Sequence, residues 1–271
     1  MSVNNKRYPT DMTDRQWDHI KDLIPPAQPG GRPRSLEMRR IIDAINYLLV
    51  SGCQWRLLPT EYPCWQSVYH YFRRFTRDGT WQRIHQTLRQ QLRRALQRNE
   101  HPSAGSIDSQ SVKTASKRGI RGFDGGKNVK GRKRHILVDT LGLLIAVIVT
   151  SAAVSDIAGA MQLFERLGAA AHRSYQSLRL VWADGGYRRK TLEQWVLTSG
   201  HFLMVILSRL AHQKGFVVLP RRWVVERTFA WLTHCRRLRV DYEVLTDSSE
   251  AMIYLAMTRL MIRRLAALRP S

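Results

Sequence analysis

Three acidic residues have positions that could support metal-assisted chemistry. Asp108 lies inside a short strand candidate at residues 106–112, and Asp184 follows the apolar run 178–183, directly before two glycines. Glu226 is the one acid in a segment that is otherwise basic and apolar. An unpaired carboxylate inside a strand is unfavourable, and functional side chains of α/β sheets gather at the carboxyl ends of strands. We therefore take Asp108, Asp184 and Glu226 as the candidate catalytic and metal-binding residues.

These three carboxylates form a suitable ligand set for hard divalent cations. Mg²⁺ prefers oxygen ligands, and two such ions about 4 Å apart can hold both the attacking and the leaving oxygen of a displacement at phosphorus. The residues therefore predict two Mg²⁺ ions as cofactors, with Mn²⁺ as a substitute. Each acid taken alone also has a structural interpretation: Asp108 could be a surface residue beside a turn, and Glu226 could pair with Arg222 on the same helix face. Asp139 is interpreted as a turn residue and Asp156 as a helix cap.

The pattern of apolar residues changes once along the chain and divides it. Residues 1–98 have apolar positions at helical spacing, which predicts an all-α, helix-turn-helix-like domain. Residues 99–105 are polar with Pro and Gly and predict a linker. Residues 106–271 alternate strand and helix patterns, which predicts an α/β domain with one mixed sheet flanked by helices. Its expected strands are 106–112, 135–139, 143–149, 178–183 and 202–207.

The charge of the chain points to a polyanionic partner. Its 271 residues carry 44 Lys and Arg against 21 Asp and Glu, a formal net charge of +23. Repulsion of that size opposes a compact chain unless a polyanion neutralises it, so nucleic acid is the expected partner. The longest apolar run, 141–154, is shorter than the roughly 20 residues of a spanning helix, and the N-terminus has no apolar segment of signal-peptide type. We therefore expect a cytoplasmic protein without a membrane partner.

Two basic segments are candidate nucleic-acid contacts. A helix at 65–77 would bury its aromatic face and present side chains that suit a DNA major groove: Gln66, His70, Arg73 and Arg74. A glycine-rich loop at 112–131, with the basic residues that follow it, would contact phosphates through Lys113, Lys127, Lys130, Arg132, Lys133 and Arg134. Structural alternatives stay open for both segments: an ordinary amphipathic helix whose arginines extend to solvent, and a solvated basic loop.

Three sequence blocks resemble those of a known protein family. They are Ser-Ile-Asp-Ser-Gln-Ser at 106–111, Val-Trp-Ala-Asp-Gly-Gly-Tyr at 181–187 and Arg-Trp-Val-Val-Glu-Arg-Thr-Phe-Ala-Trp-Leu at 222–232. In order and spacing they resemble the DDE transposases of bacterial insertion sequences, whose catalytic domain has a ribonuclease-H-like fold. Residues 52–59 and 65–74 resemble the DNA-binding region of the same family, so the resemblance spans nearly the whole chain.

The resemblance implies a fold, a reaction and partners. It implies a ribonuclease-H-like sheet in an enzyme that cleaves double-stranded DNA at the terminal inverted repeats of its element and joins the 3′ hydroxyl ends to target DNA. It further implies a homo-oligomer, at least a dimer when active, associated with the nucleoid in the bacterial cytoplasm. The matching Asp108, Asp184 and Glu226 would bind the catalytic ions, and Arg222 would orient Glu226 or a phosphate.

Two positions depart from the third block of the family. Leu219 stands where a Tyr is usual, and Thr233 stands where a Lys or Arg is usual. Arg236 and Arg237, about one helical turn later, are candidates for the missing phosphate contact. The departures keep two alternatives open. One is a nuclease of the same fold that does not join strands, and the other is a non-catalytic basic DNA-binding protein derived from a transposase.

Overall fold

A computed structural model describes residues 8–27, 30, 34–169, 173–199, 201–207 and 223–268. The chain divides into two compact units. The first unit contains Met1–Arg98, His234–Arg239 and Ala251–Ser271, and the second contains Asn99–Thr233 and Val240–Glu250. Within the described residues, no helix has both the length and the apolar character that crossing a membrane requires.

Helices and strands alternate only in the later part of the chain. The helices of the described residues are α1 (Asp14–Asp18), α2 (Met38–Ser51), α3 (Trp65–Arg77), α4 (Thr80–Ala95), α5 (Asp156–Ala169), α6 (Arg173–Gln176), α7 (Lys190–Ser199), α8 (Trp223–Thr233) and α9 (Thr246–Ala267). The strands are β1 (Ala104–Lys113), β2 (Gly122–Asp124), β3 (Val129–Asp139), β4 (Leu144–Ser151), β5 (Leu180–Asp184) and β6 (Leu203–Leu207). This order confirms the expected helical N-terminal region and the mixed α/β pattern that follows it.

The first unit is held by local caps and by apolar helix faces. Thr13 Oγ1 accepts a hydrogen bond from the Gln16 N–H at 3.3 Å, and Gln16 Oε1 accepts one from the Thr13 N–H at 3.1 Å. This reciprocal pair is a capping box and starts α1. Ile41, Ile45 and Leu48 of α2 are fully buried. They lie on one face of the helix because their spacing follows its period.

The C-terminal segments belong to the first unit, whereas the sequence predicts one continuous second domain from 106 to 271. The ring of Tyr254 on α9 lies 5.1 Å from that of His85 on α4. Arg259 donates to the Thr10 carbonyl at 3.3 Å. From its sixth residue, Ala251, onward α9 thus belongs with the N-terminal helices, because its apolar side chains are buried there rather than on the sheet. Sequence periodicity identifies such a helix but does not identify its packing partner.

The second unit is built on a six-stranded mixed sheet in its described residues. β1 pairs antiparallel with β3 and parallel with β5, and β6 pairs parallel with β5. β4 and the short β2 pair antiparallel with β3. Across the sheet the strand order is β4, β3, β1, β5, β6. Neighbours from β4 to β1 are antiparallel, and neighbours from β1 to β6 are parallel. This is the strand order of a ribonuclease-H-like sheet, and it confirms the expected fold class.

One expected loop is partly strand. The sequence predicts a loop at 112–131 and a strand from 135, whereas β1 continues to Lys113, β2 lies within the loop and β3 begins at Val129. The ladder between β1 and β3 therefore includes the basic residues 132–134. Charged residues seldom occupy buried strand positions, so their presence hid the strand. Asp139 is confirmed as a turn residue, since its Oδ1 accepts hydrogen bonds from the Leu141 and Leu143 N–H groups, both at 2.9 Å.

Helix α5 packs its apolar face on the sheet at very close range. Phe164 of α5 shares a buried core with Ile107 of β1 and Leu137 of β3. The close approach depends on Gly159, because a Cβ atom there would lie 2.0 Å from Cε1 of His135. Burial lowers the pKa of His135 to about 4, so a neutral imidazole fills the space below the helix.

We expect the Gly159→Ala substitution to lower the free energy of unfolding by about 1–3 kcal/mol, because the added methyl group displaces α5 or the His135 ring. Gly168→Ala is a matched control on the same helix, since its Cβ would meet Tyr175 Cε1 at 3.5 Å, an ordinary contact. Urea denaturation of both variants and the parent chain measures the difference. Equal stability of Gly159→Ala and the parent chain contradicts the close contact.

Candidate active site

Asp108 and Asp184 line one small pocket at the ends of paired strands. β1 and β5 run parallel, with Ser106 opposite Trp182. Two further residues along each strand bring the chain to Asp108 and Asp184, and the same pocket is lined by Leu207 of β6 and other residues of β1, β5 and α8. The space between them is about 10 Å³, enough for a single water-sized occupant. The structure thus brings together two of the three acids singled out in the sequence.

The pocket makes a negative charge on Asp108 unfavourable. Burial raises the pKa of Asp108 to about 6, and the nearby Asp184 carboxylate adds to this effect. The Ser109 N–H, which donates to Asp108 Oδ1 at 2.7 Å, and the Lys127 ammonium oppose it. A partly buried carboxylate beside a second one is compensated when a cation binds between them. The charge and the oxygen donors of this pair therefore fit a hard divalent ion.

The turn after β5 fixes the orientation of the Asp184 side chain. Asp184 Oδ1 accepts a hydrogen bond from the Gly186 N–H at 2.9 Å and so caps the 3₁₀ turn Gly185–Tyr187. A Cβ at Gly186 would lie 3.1 Å from this same oxygen, closer than most real contacts of that kind. Glycine at this position therefore leaves the carboxylate room to keep its orientation.

Glu226 does not join the two aspartates. The inward face of α8 is formed by apolar residues that include Val224 and Val225, and Val225 lines the pocket. Glu226, the next residue, lies on the exposed side of the helix. Across the described ranges, no group of three or more His, Cys, Asp or Glu side chains is arranged to hold a metal ion. Arg222, expected to orient Glu226, and Leu219 lie outside the described residues.

A second polar cluster adjoins Asp108, and the sequence analysis did not find it. Asp156 Oδ1 accepts a hydrogen bond from Ser109 Oγ at 2.6 Å and lies 3.0 Å from Lys133 Nζ. Lys133 Nζ lies 3.1 Å from Asp124 Oδ2, which also accepts a hydrogen bond from Ser111 Oγ at 2.5 Å. Asp156 is thus part of an ionic network, and the cap of α5 is instead Ser155, whose Oγ accepts a hydrogen bond from the Ala158 N–H at 3.2 Å. The alternation of Ser109 and Ser111 along β1 was the available signal, since residues two apart share one face of a strand.

Comparison with known proteins identifies the family. Residues 99–261 match the family described as a transposase DDE domain, and residues 12–85 match the one described as a putative transposase of the IS4/5 family. The first match covers more than half of the chain. The chain belongs to the DDE transposase domain family. The expectation drawn from the three sequence blocks is therefore confirmed.

Two curated relatives come from Burkholderia cepacia. The putative transposase for insertion sequence element IS402 is 35% identical over 129 residues, which are 46% of this chain and 60% of the relative. The insertion element IS402 uncharacterized 16.2 kDa protein is 32% identical over 106 residues, 37% of this chain and 71% of the relative. The chain therefore spans about three fifths of the first of these relatives. The crystal structure of a pre-cleavage Mos1 transpososome is matched over 89% of this chain and 81% of its own, at 13% identity and a TM-score of 0.32, too low for a structural inference.

Several basic residues expected to contact DNA in this DDE-family chain are buried. Arg132 is fully buried, and its guanidinium donates to the carbonyls of Ile120, Glu243 and Val244 and lies 3.3 Å from Asp241 Oδ2. Buried as well are Lys133, Arg134, Arg73 and Arg237. Because these five side chains are buried, they offer little surface for the DNA contacts that the sequence analysis predicts.

The remaining predicted contact residues are accessible. Of these predicted contact residues, three in the first unit are exposed: Gln66, His70 and Arg236. Three in the second unit are also exposed: Lys113, Lys127 and Lys130. Arg74 is half-buried. Arg236 and Arg237 belong to the first unit, where Arg237 donates to the Cys53 carbonyl at 2.9 Å. Arg237 therefore stabilises the segment 52–59 instead of replacing the basic residue absent at Thr233.

We expect Arg132→Ala to lower the free energy of unfolding by about 3–5 kcal/mol, because it leaves the buried Asp241 carboxylate without its cation. Lys130→Ala on the same strand removes an exposed charge and should change stability by no more than about 0.5 kcal/mol. Urea denaturation compares the two variants. A stable Arg132→Ala chain with weakened DNA binding would instead restore the original assignment of Arg132 to the DNA-contacting set.

Proposed function

We propose that this protein is a transposase that cuts DNA at the terminal inverted repeats of its own insertion sequence and joins the 3′ hydroxyl ends to target DNA. The observation that carries this proposal is the pairing of Asp108 and Asp184 at the strand ends of a DDE-family sheet. The name of the IS402 relative, a putative transposase for an insertion sequence element, points to the same activity.

Asp108 and Asp184 would hold Mg²⁺, with Mn²⁺ as a substitute, and Glu226 would complete the ligand set for two ions. When bound, the ions supply Lewis acidity to the attacking and leaving oxygens of the phosphodiester. Asp184 enters this role already oriented by the Gly186 N–H. Glu226 is exposed on α8, next in the chain to Val225 of the pocket lining, so this role would require its carboxylate to reorient toward the pocket.

DNA binding is assigned to the exposed polar residues of each unit. In the first unit, Gln66 and His70 on α3 are accessible for base contacts, and Arg74 is partly so. In the second unit, the exposed Lys113, Lys127 and Lys130 would contact phosphates. Two ends of an element must be processed together, so the working complex contains at least two protomers.

We expect Asp184→Asn to reduce cleavage by at least on the order of 100-fold in either metal, since even the residues that support metal ligands contribute about 10- to 100-fold. Asparagine keeps the acceptor for the Gly186 N–H and the shape of the side chain. The substrate is a plasmid carrying the gene with its native flanking DNA, incubated with Mg²⁺ or Mn²⁺, and breaks are mapped on sequencing gels. Glu193→Gln, an exposed residue of α7, is the control.

The products of this assay separate the alternatives. Breaks at a pair of inverted ends, followed by joined products, support the transposase. Breaks without joined products select a nuclease of the same fold. Tight binding without breaks in either metal selects a non-catalytic DNA-binding protein. Cleavage by Asp184→Asn at the parent rate would remove Asp184 from the catalytic set.

Near the pocket, Lys127 is the candidate phosphate contact whose position is best defined by hydrogen bonds. Asp124 Oδ1 accepts hydrogen bonds from the Gly126 and Lys127 N–H groups at 3.1 and 3.2 Å and so fixes the turn. The Lys127 ammonium donates to the Ser109 carbonyl at 3.1 Å and to Ser109 Oγ at 3.3 Å. These acceptors are neutral, whereas Lys133 lies within ion-pair distance of two carboxylates. The Lys127 ammonium also stabilises the ionised forms of Asp108 and Asp156 from a distance, and its exposed side chain can contact a phosphate as well.

We expect Lys127→Ala to weaken binding to flanking DNA and to reduce the slope of log affinity against log salt by about 1, the value for one lost phosphate contact. Lys190→Ala removes the same charge from the exposed start of α7 and should leave the slope unchanged. Fluorescence anisotropy at several salt concentrations measures both. Parallel salt dependences for the Lys127→Ala variant and the parent chain are the outcome that rejects this contact.

A further inference from the structure

Two large apolar side chains are exposed on a ribbon formed by residues 119–131, which include β2 and the start of β3. Ile120 is 61% exposed, and Phe123 is 55% exposed. Single exposed apolar residues are common on protein surfaces, so exposure alone does not indicate a site. The backbone beneath these two side chains, however, is held by buried contacts.

The buried Arg132 holds the backbone at Ile120. Its Nε donates to the Ile120 carbonyl at 2.8 Å, and its Nη2 donates to the Val244 carbonyl at 2.6 Å. Gly119 lies against this second carbonyl with a φ of +84°, and a Cβ atom at that position would clash with it. The loop before β2 is therefore fixed, with the Ile120 side chain at the surface.

Phe123 is held in place by the residues on either side of it. Asp124 is buried, and its Oδ2 accepts a hydrogen bond from Ser111 Oγ and lies 3.1 Å from Lys133 Nζ. On the other side, a Cβ atom at Gly122 would clash with the end of β4. Successive side chains of a strand point to opposite faces, so the burial of Asp124 directs Phe123 outward.

Phe123 points to the same face of the sheet as the pocket aspartate Asp108. Phe123 is directly opposite Lys130 on β3, and Asp108 is directly opposite Ile136. Directly paired residues share a face, and so do residues an even number of positions apart on one strand. Lys130 and Ile136 are therefore on one face, separated by roughly 20 Å along β3. This length corresponds to about six base pairs of B-DNA, so a duplex at the pocket can reach the ribbon.

The accessible charges around the two apolar side chains are all positive. Residues 114–130 contain one acid, the buried Asp124. The exposed charged residues of this stretch are Lys117, Arg118, Arg121, Lys127 and Lys130. Such a surface repels a second copy of a chain with a net charge of +23 and attracts phosphates. Proteins that kink DNA combine the same two features, cations on the phosphates and an apolar side chain between base steps.

We propose that the ribbon is a wedge for duplex DNA, whose Phe123 and Ile120 side chains insert between base steps from the minor groove while its basic residues contact the flanking phosphates. Insertion partly unstacks the step and kinks the duplex, so flexible pyrimidine–purine steps are favoured at this distance from the pocket. The fixed backbone suits this role, because less conformational freedom is lost on binding. This inference rests on the proposed function, since it requires DNA beside the pocket.

The test measures affinity and bending with the full-length chain and a duplex of its native flanking DNA that carries a donor and an acceptor dye at its ends. We expect the double variant Ile120→Ala/Phe123→Ala to bind about 10-fold more weakly and to lose a kink of at least about 20°. The slope of log affinity against log salt should stay at the parent value, because no phosphate contact is removed. Leu197→Ala is the matched control, an apolar side chain of the same unit that is 81% exposed on α7.

A mismatch moved stepwise through the same duplex tests insertion directly. The parent chain should bind about 10-fold more tightly when the mismatch lies at the inserted step, because a mismatch lowers the cost of unstacking. The double variant should bind all of the mismatched duplexes alike.

Parent-like affinity and bending in the double variant overturn the wedge and leave the proposed function intact. A parent chain that binds no flanking DNA overturns the proposed function and the wedge with it. A lower midpoint of thermal unfolding in the double variant assigns the two side chains to folding instead. A DNA-free dimer of the parent chain that the double variant dissociates, measured by sedimentation, assigns the surface to a second copy and also overturns the wedge.

Discussion

Two carboxylates held in one pocket, Asp108 in the middle of β1 and Asp184 at the end of β5, are the constraint on which the site depends. Parallel pairing of these strands brings the two side chains together. Burial raises the pKa of Asp108 to about 6, and the neighbouring Asp184 carboxylate adds to this effect. Such a pair persists only where the surrounding packing holds both side chains in place. Here the capped turn after β5 and the buried Tyr187 ring provide that packing.

Positive charge inside the second unit is distributed in a way that supports this arrangement. Lys133 is shared by Asp124 and Asp156, so these acids are neutralised without involving the pocket. Arg132 is surrounded by backbone carbonyls and Asp241, and it ties β3 to the segment after residue 239. The basic residues of β3 and of the loop before it therefore have different roles. Lys133 and Arg132 maintain the sheet, while the exposed Lys127 donates to Ser109 and stabilises the ionised forms of Asp108 and Asp156 from a distance.

The parts of the site that could be predicted from the sequence are those that follow from strand patterns. An acid inside a strand and an acid before two glycines at a strand end indicate positions that parallel pairing brings together, as it does for Asp108 and Asp184. The orientation of Glu226 could not be predicted, because the period of α8 says that Val225 and Glu226 point in different directions but not which of them faces the sheet. Burial of Arg132 could not be predicted either, since its partners Asp241 and Glu243 lie more than 100 positions away in the chain. Local sequence contains no signal for such contacts, and charge alone suggested an exposed loop.

Burial does not reduce the net charge of the chain within the described residues. Seven basic side chains, among them Arg89, Arg132 and Arg134, and seven acidic side chains are buried, so the positive excess stays on accessible residues. A phosphate that approaches the Asp108–Asp184 pocket meets two acids, and attraction at a distance does not remove the local repulsion, because screening limits surface charges to about 10 Å. Cations must act within the pocket itself or at its rim. The rim can be supplied by lysines such as Lys127, but only a cation between the two carboxylates lets Asp108 stay ionised while a phosphate binds. If the pocket binds a phosphate as proposed, a cation held by the two carboxylates would offset this repulsion, so metal binding and DNA binding at this site are expected to strengthen each other.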